Sequence, residues 1–225
     1  MLRFFPCIYP DELLYSAISR YYKYTGKGSI KLTFKELFGD NAHVFSTIDF
    51  PYNIDSFIEQ FDIIYHYTSK DIILNFTMLP LYLPFLDSST QQYTIDSMKN
   101  ANGMDLYKKL GVMASNVKCL NDLKYCPSCL VDDLQTYGEV YLHRSHNLDG
   151  VFFCCKHKRL LKTRCPTCNT PVSPKDKYLL LSLQSTCING HNLIDGGSIE
   201  EISLSKSELK HHILISNIVN LDLRQ

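Results

Sequence analysis

The 225-residue chain has a mass of 25.9 kDa, and its 23 lysines and arginines balance 23 aspartates and glutamates, so its formal charge is zero. With 45% hydrophobic and 12% aromatic residues the composition is globular, and no stretch approaches the run of about 18 apolar residues that a membrane span needs. Nine cysteines are too few for a disulfide scaffold, and the opening MLRFFPCIYPDELL lacks a basic-then-apolar signal peptide, so a cytoplasmic chain with reduced thiols is expected.

Along residues 1–117 the pattern is helical with short loops. Pro10, Asp11 and Glu12 predict the start of a helix with acidic residues in its first turn, and Leu13, Leu14, Ala17, Ile18 and Tyr21 recur on one face until Gly26. A second helix, capped by Thr33, carries Phe34, Leu37 and Phe38 and stops at Gly39. Two short helices across a Gly/Ser turn have the organisation of a helix-turn-helix, as do many three-helix cores. Further helices are predicted over Ile54 to Phe61, Lys70 to Phe76, from a Ser88 or Ser89 cap to Asn102, and over Met104 to Leu110. Pro80 and Pro84 make MLPLYLPFL an extended or turning piece.

No Gly/Ser-rich linker separates the halves, only the polar stretch from Lys118 to Lys124, so they are expected to pack directly on each other. Strands are predicted at Glu139 to Leu142 and Val151 to Phe153 around the turn LDGV, and another over LLLSLQSTC at 179–187. Helical spacing returns beyond residue 198, where Ser205 or Ser207 precedes Leu209, Ile213, Leu214, Ile218 and Val219. The end at LDLRQ reads as a cut ahead of a further domain. The expected fold is thus mainly α with small β zinc ribbons: a helical region at 1–117, zinc modules at 118–163 and 164–197, and a helical segment at 198–225.

The cysteines and histidines of the second half fall into two sets of four. Cys126 and Cys129 in CPSC are answered by Cys154 and His157 in CCKH, while Cys165 and Cys168 in CPTC are answered by Cys187 and His191 in CINGH. A CxxC turn sets two sulfurs at the right separation to share a tetrahedral ion, and a later close pair completes the shell. Two tandem Cys3His zinc sites follow, and because four protein ligands leave no open position, both zincs are expected to be structural. Buried thiols packed as small apolar groups are the alternative. Cys155 can replace Cys154, although C-x-H is a tighter bite than C-x2-H; Cys155, Cys7 and Cys119 are read as non-ligands.

Charge is unevenly spread: residues 118–177 carry 10 Lys/Arg against 6 Asp/Glu. The bridge between the sites holds Lys156, Lys158, Arg159, Lys162 and Arg164 with no acidic residue among them, a cluster suited to phosphates or an acidic protein face, or simply to offsetting thiolate charge. Arg20, Lys23, Lys27 and Lys31 gather at the end of the first helix and the turn after it, where a helix-turn-helix touches backbone phosphate; a solvated helix end is the other reading. Catalytic patterns are missing. There is no Gly-rich phosphate loop, no paired-carboxylate cluster, and no H-x-E preceding the PCxxC block as a zinc deaminase requires, so no enzyme is expected.

Three blocks, FFPCIYPDELLYSAISRYY, NFTMLPLYLPFL and YCPSCLVDDLQTYGEVYLHRSHNLDGVFFCCKHKRLL, resemble the TniQ/TnsD family of transposon target-selection proteins, in the family's order over roughly residues 4–170. The chain departs where the family usually has Pro after the second-pair Cys and Gly after the His, with Cys155 and Lys158 in those places. The resemblance implies an adaptor without catalytic chemistry, built from a helix-turn-helix region and zinc modules. Such a protein binds an attachment-site DNA or rides on an RNA-guided complex, and recruits the transposon's AAA+ ATPase, a TnsC-like protein. Arg144 matches an Arg of the family block and is a candidate contact to DNA or an acidic partner, or a brace for the zinc loop. A general zinc-ribbon nucleic-acid-binding regulator is the alternative function.

Overall fold

The computed structural model describes residues 2, 4–39, 48–61, 67–100, 105–111, 122–172 and 183–194, with single positions at 207, 210 and 214. Residues 179–182 of the expected strand over 179–187 lie outside them, and the described 183–187 carry only the isolated bridge of Thr186 with Asn192; the C-terminal helix lies almost wholly outside.

Seven helices and one two-stranded sheet are found among the described residues: α1 Leu14–Thr25, α2 Ile30–Phe38, α3 Ile54–Glu59, α4 Ser69–Phe76, α5 Ser88–Lys99, α6 Leu106–Lys109, α7 Pro127–Tyr137, β1 Phe153–Cys154 and β2 Arg159–Leu160. α1 buries Leu14, Ala17, Ile18 and Tyr21, the i, i+3, i+4, i+7 face, and ends at Gly26 in the left-handed region at φ 59°. α2 begins earlier than expected because Ser29, not Thr33, accepts from the Leu32 amide; Thr33 is buried inside the helix. α4 has a full capping box between Thr68 and Asp71. α5 is capped by Asp87, whose carboxylate accepts from the Ser89 and Thr90 amides at 3.0 Å. The two prolines of 78–86 sit in consecutive 3-10 turns, Leu79–Leu81 and Leu83–Phe85, the turning one of the two readings. Proline suits the first turn of a helix, where its missing N–H would be unsatisfied anyway. The helices close over an aromatic core in which Phe5 meets Phe57 and Phe61 edge-on, and Phe38 stacks on Phe57.

One expectation in the second half fails for an instructive reason. Residues 139–142 do not pair with 151–153; the hairpin is β1 with β2, Phe153 opposite Leu160 and Cys154 opposite Arg159, folded tightly around CKHK. Instead His143 bridges Glu12, the Leu13 amide donates to the Leu142 carbonyl at 3.0 Å, and the Arg144 amide donates to the Asp11 carbonyl at 2.6 Å. The N-terminal segment is therefore welded to the loop between the two ligand pairs of the first cluster.

That weld also explains why α1 starts at Leu14 rather than at Pro10. Asp11 is in the left-handed region at φ 58°, and its carboxylate takes the Ser145 amide and hydroxyl. Glu12 is turned into the interior against Arg20. The acidic pair serves tertiary contacts rather than the helix dipole. Leu13, Leu14, Leu142, Leu148, Val151 and Cys165 belong to one hydrophobic core, so the helical region and the cysteine-bearing region pack directly on each other. No helix among the described residues is long and apolar enough to cross a membrane.

Candidate metal centres and charged surface

In CPSC, Cys126 stands at the N-cap of α7, Pro127 opens the helix and Cys129 lies in its first turn; Gly138, at φ 76°, closes it. The β1–β2 hairpin brings Cys154 and His157 to the same point. The ligand atoms of Cys126, Cys129, Cys154 and His157 all lie within 4.8 Å of one another, as do those of Cys165, Cys168, Cys187 and His191. The fit to a metal can be tested from the edges. A tetrahedron with metal–sulfur bonds of about 2.3 Å and metal–nitrogen bonds of about 2.0 Å has S···S edges of about 3.7 Å and S···N edges of about 3.5 Å. In the first cluster Cys129 and Cys154 sulfurs are 3.6 Å apart, and His157 Nδ1 lies 3.6, 3.3 and 3.6 Å from the sulfurs of Cys126, Cys129 and Cys154. In the second, Cys168 and Cys187 sulfurs are 3.7 Å apart and His191 Nδ1 is 3.5 Å from Cys187. Both donor sets match a tetrahedral ion, and Cys155 is in neither.

The proton arrangement agrees. Hydrogen bonds from Cys129 and Cys154 favour the Cys126 thiolate, while those same contacts push the other two thiols up, Cys154 to about 12. A divalent cation would relieve this crowding and displace the protons. At the second cluster Thr170 Oγ1 lies 3.2 Å from Cys168 Sγ and Asn189 Nδ2 donates to it at 3.4 Å, which draws that thiol down to about 5. The three cysteines of the first cluster are buried and His157 half-buried; in the second only Cys165 is buried, the others being half-buried.

Partners behind the ligands are present too. His157 turns Nδ1 to the sulfurs and Nε2 to Asp132 at 3.2 Å, the carboxylate–histidine arrangement that fixes a ligand's tautomer. The neighbouring Asp133 faces His143 Nε2 at 3.0 Å, with Asp11 3.8 Å from Nδ1. Burial opposes a charge on His143, but the hydrogen bonds to Asp11 and Asp133 outweigh it and raise its pKa to about 9. His146, buried beside it, is pushed down to about 3 by burial and then by the His143 charge. The composition of α7 could have revealed it in advance: a Pro just inside the start and a Gly just past the end mark a helix.

The basic residues divide by exposure. Arg20 is 3% exposed: Nη1 donates to Glu12 at 2.8 Å and Nη2 to Glu139 at 2.6 Å, and the guanidinium lies 4.1 Å from the centre of the Tyr9 ring. It is an internal brace between α1 and residue 139, which corrects its expected place at a phosphate-facing surface. Arg144, also 3% exposed, donates Nη1 to the Leu74 and Thr77 carbonyls at the end of α4 and lies 3.6 Å from Asp11; it braces the loop, as the second of its two readings had it. Lys23 and Lys31 face solvent, and Lys27 pairs with Glu36. On the bridge, Lys156, Lys158 and Arg164 are exposed and Arg159 and Lys162 half-buried. Lys156 pairs with Asp132, Arg159 donates to Ser128 Oγ at 2.7 Å, and Arg164 donates to the Asn169 carbonyl at 3.0 Å. Lys158 is in the left-handed region at φ 51°, a backbone requirement that accounts for the glycine usual there.

A helical body carrying two closed Cys3His clusters, the first built into its core, is the class of protein these observations define. The TniQ family model matches residues 3–161, and the chain belongs to the TniQ family. It is 32% identical over 160 residues to the transposon Tn7 transposition protein TnsD of Escherichia coli, an alignment covering 71% of this chain; it spans 31% of that relative's length. The family match contains the whole first cluster and stops before Cys165.

Proposed function

We propose that this chain is a target-selection adaptor in DNA transposition: it engages target DNA, or an RNA-guided complex already on the target, and recruits the transposon's TnsC-like AAA+ ATPase. The TniQ match over residues 3–161 is the observation that carries the reading. Its metal is zinc, structural at both centres, because each cluster supplies four protein ligands of the types zinc prefers and keeps no position for water or substrate. The chain then works by binding rather than by catalysis. The residues that can meet a partner are the solvent-facing cations: Lys158 and Arg164 on the bridge, with Lys156 if it exchanges Asp132 for a phosphate, and Lys23 and Lys31 near the α1–α2 turn. α1 and α2, joined through residues 26–29, are the pair to test as a helix-turn-helix.

The test is a titration of the chain with the element's target DNA at several salt concentrations, repeated with the ATPase in place of DNA. Binding is expected, with DNA affinity falling as salt rises. Replacing Lys158 and Arg164 together by glutamine should weaken one of the two interactions at unchanged thermal stability. Affinity for both partners unchanged in that variant rejects the bridge as the contact surface. Salt-sensitive DNA binding with no ATPase binding favours a general nucleic-acid-binding regulator.

A further inference from the structure

The buried first cluster brings three sulfurs together, and a closed Cys3His zinc there carries a net negative charge away from water. Buried charge of this kind is stabilised by N–H donors aimed at the sulfurs. One is local: the His157 backbone amide donates to Cys154 Sγ at 3.4 Å. The second comes from His146, whose Nε2 is 3.6 Å from Cys129 Sγ, the spacing of an N–H···S hydrogen bond. His146 lies outside the group of atoms that converge as ligands.

The position of His146 is built with care by its neighbours. It is the middle residue of the 3-10 turn Ser145–Asn147. On one side Ser145 donates its hydroxyl to Asp11 at 2.5 Å. On the other, the fully buried Asn147 accepts from the Lys124 amide at 2.8 Å and donates to the Lys124 and His143 carbonyls at 3.2 and 2.8 Å. The His146 ring lies against that of His143 with centroids 4.7 Å apart. The turn is thus pinned both to the N-terminal segment and to the residue two places before Cys126, and the imidazole between has little freedom to turn away.

We propose that His146 is a positioning residue of the first metal centre, donating its Nε2–H to the Cys129 thiolate and thereby slowing loss of the metal. The inference rests on a metal occupying that centre and is independent of which partners the chain recruits. Outer partners of this kind change metal affinity by about 10–100-fold when removed.

The experiment uses the whole chain loaded with cadmium-113, whose resonance reports sulfur ligation and the hydrogen bonds to it. Two resonances are expected, one per centre. His146→Phe keeps a ring in place without a donor; it should shift the first-centre resonance alone and speed release of metal from that centre to a chelator by about 10–100-fold. His146→Gln, which can aim an amide N–H at the same sulfur, should recover most of both. The proposal is overturned if His146→Phe changes neither resonance nor release, or if the glutamine variant is no better than phenylalanine, which assigns the effect to packing. Scalar coupling of the first-centre cadmium to the His146 ring in the unaltered protein also overturns it, by making His146 a ligand. Should His146→Phe fail to fold, the nitrogen shifts of His146 in the unaltered protein decide: a protonated Nε2 supports the proposal and an unprotonated one overturns it. No first-centre resonance in the unaltered protein overturns the occupied centre and the proposal together.

Discussion

Replacing Arg20 with methionine keeps most of the side-chain volume but removes the cation between Glu12 and Glu139. Glu12 is fully buried, and its carboxylate also accepts from the Tyr9 amide at 2.9 Å and the Ser16 hydroxyl at 2.7 Å, so it cannot swing out to water without breaking the segment that welds the two halves. Removing one partner of a buried ion pair costs about 3–5 kcal/mol, because the other charge is left uncompensated. For a chain of this size, at about 2–4 °C per kcal/mol, this is a fall in melting temperature of roughly 6–20 °C. A pH signature accompanies it. Burial already raises the Glu12 pKa against the opposing pull of Arg20, and without Arg20 it rises further. A carboxyl whose folded pKa exceeds its unfolded value binds a proton preferentially in the folded state, so its contribution to stability grows as pH falls and is lost as pH rises. The deficit of Arg20→Met should therefore be smaller at pH 5 than at pH 8, as measured by thermal melts of both proteins at each pH. If the variant melts like the unaltered chain yet loses DNA affinity, Arg20 is a contact residue and the brace is wrong.

Other consequences are open to measurement. Lys158→Gly should stabilise the chain by about 0.5–1 kcal/mol, since a left-handed non-glycine costs roughly 1–2 kcal/mol and glycine gives part of that back in entropy; in urea titrations an alanine variant should gain nothing, and equal effects from both would contradict the strain. Between pH 7 and 9 the chain should lose stability that His143→Phe does not: the His143 pKa of about 9 lies above its unfolded value, so its contribution is complete below about pH 6.5 and disappears as pH climbs through the folded value. Stripping metal with a chelator should raise amide hydrogen exchange at Leu13 and Arg144, far along the chain from most of the ligands, because their bonds to Leu142 and Asp11 depend on the loop that the first centre closes; unchanged protection there would separate the centre from the weld.

The ligand sets were legible because each metal site is assembled from two pairs that are close in sequence, and the spacing within a pair is itself the geometric requirement. The apolar faces of α1, α2 and α4 were legible for the same reason: their period is local. The misreadings of Asp11, Glu12 and Arg20 involve residues whose roles are settled by partners far along the chain. Asp11 and Glu12 look like a helical first turn until residues 139–145 arrive to claim them. Arg20 looks like a surface cation because Glu139, the second carboxylate that holds it inside, lies far along the chain. α7 was readable, since Pro127 and Gly138 bracket it, but CPSC was read as a metal-binding turn and the helix that continues from that turn was missed. With α7 missed, Asp132 and Asp133, consecutive residues that each hold a histidine, had no visible purpose.

We propose above all that this TniQ-family chain joins a target to a TnsC-like ATPase. It is tested most directly by capturing a TnsC-like AAA+ ATPase on immobilised, zinc-loaded chain, with and without target DNA. The account predicts retention of the ATPase by the loaded chain, and its loss when metal is removed or when Cys126→Ser breaks the first centre. A correctly folded, metal-loaded chain that retains neither ATPase nor DNA would contradict it.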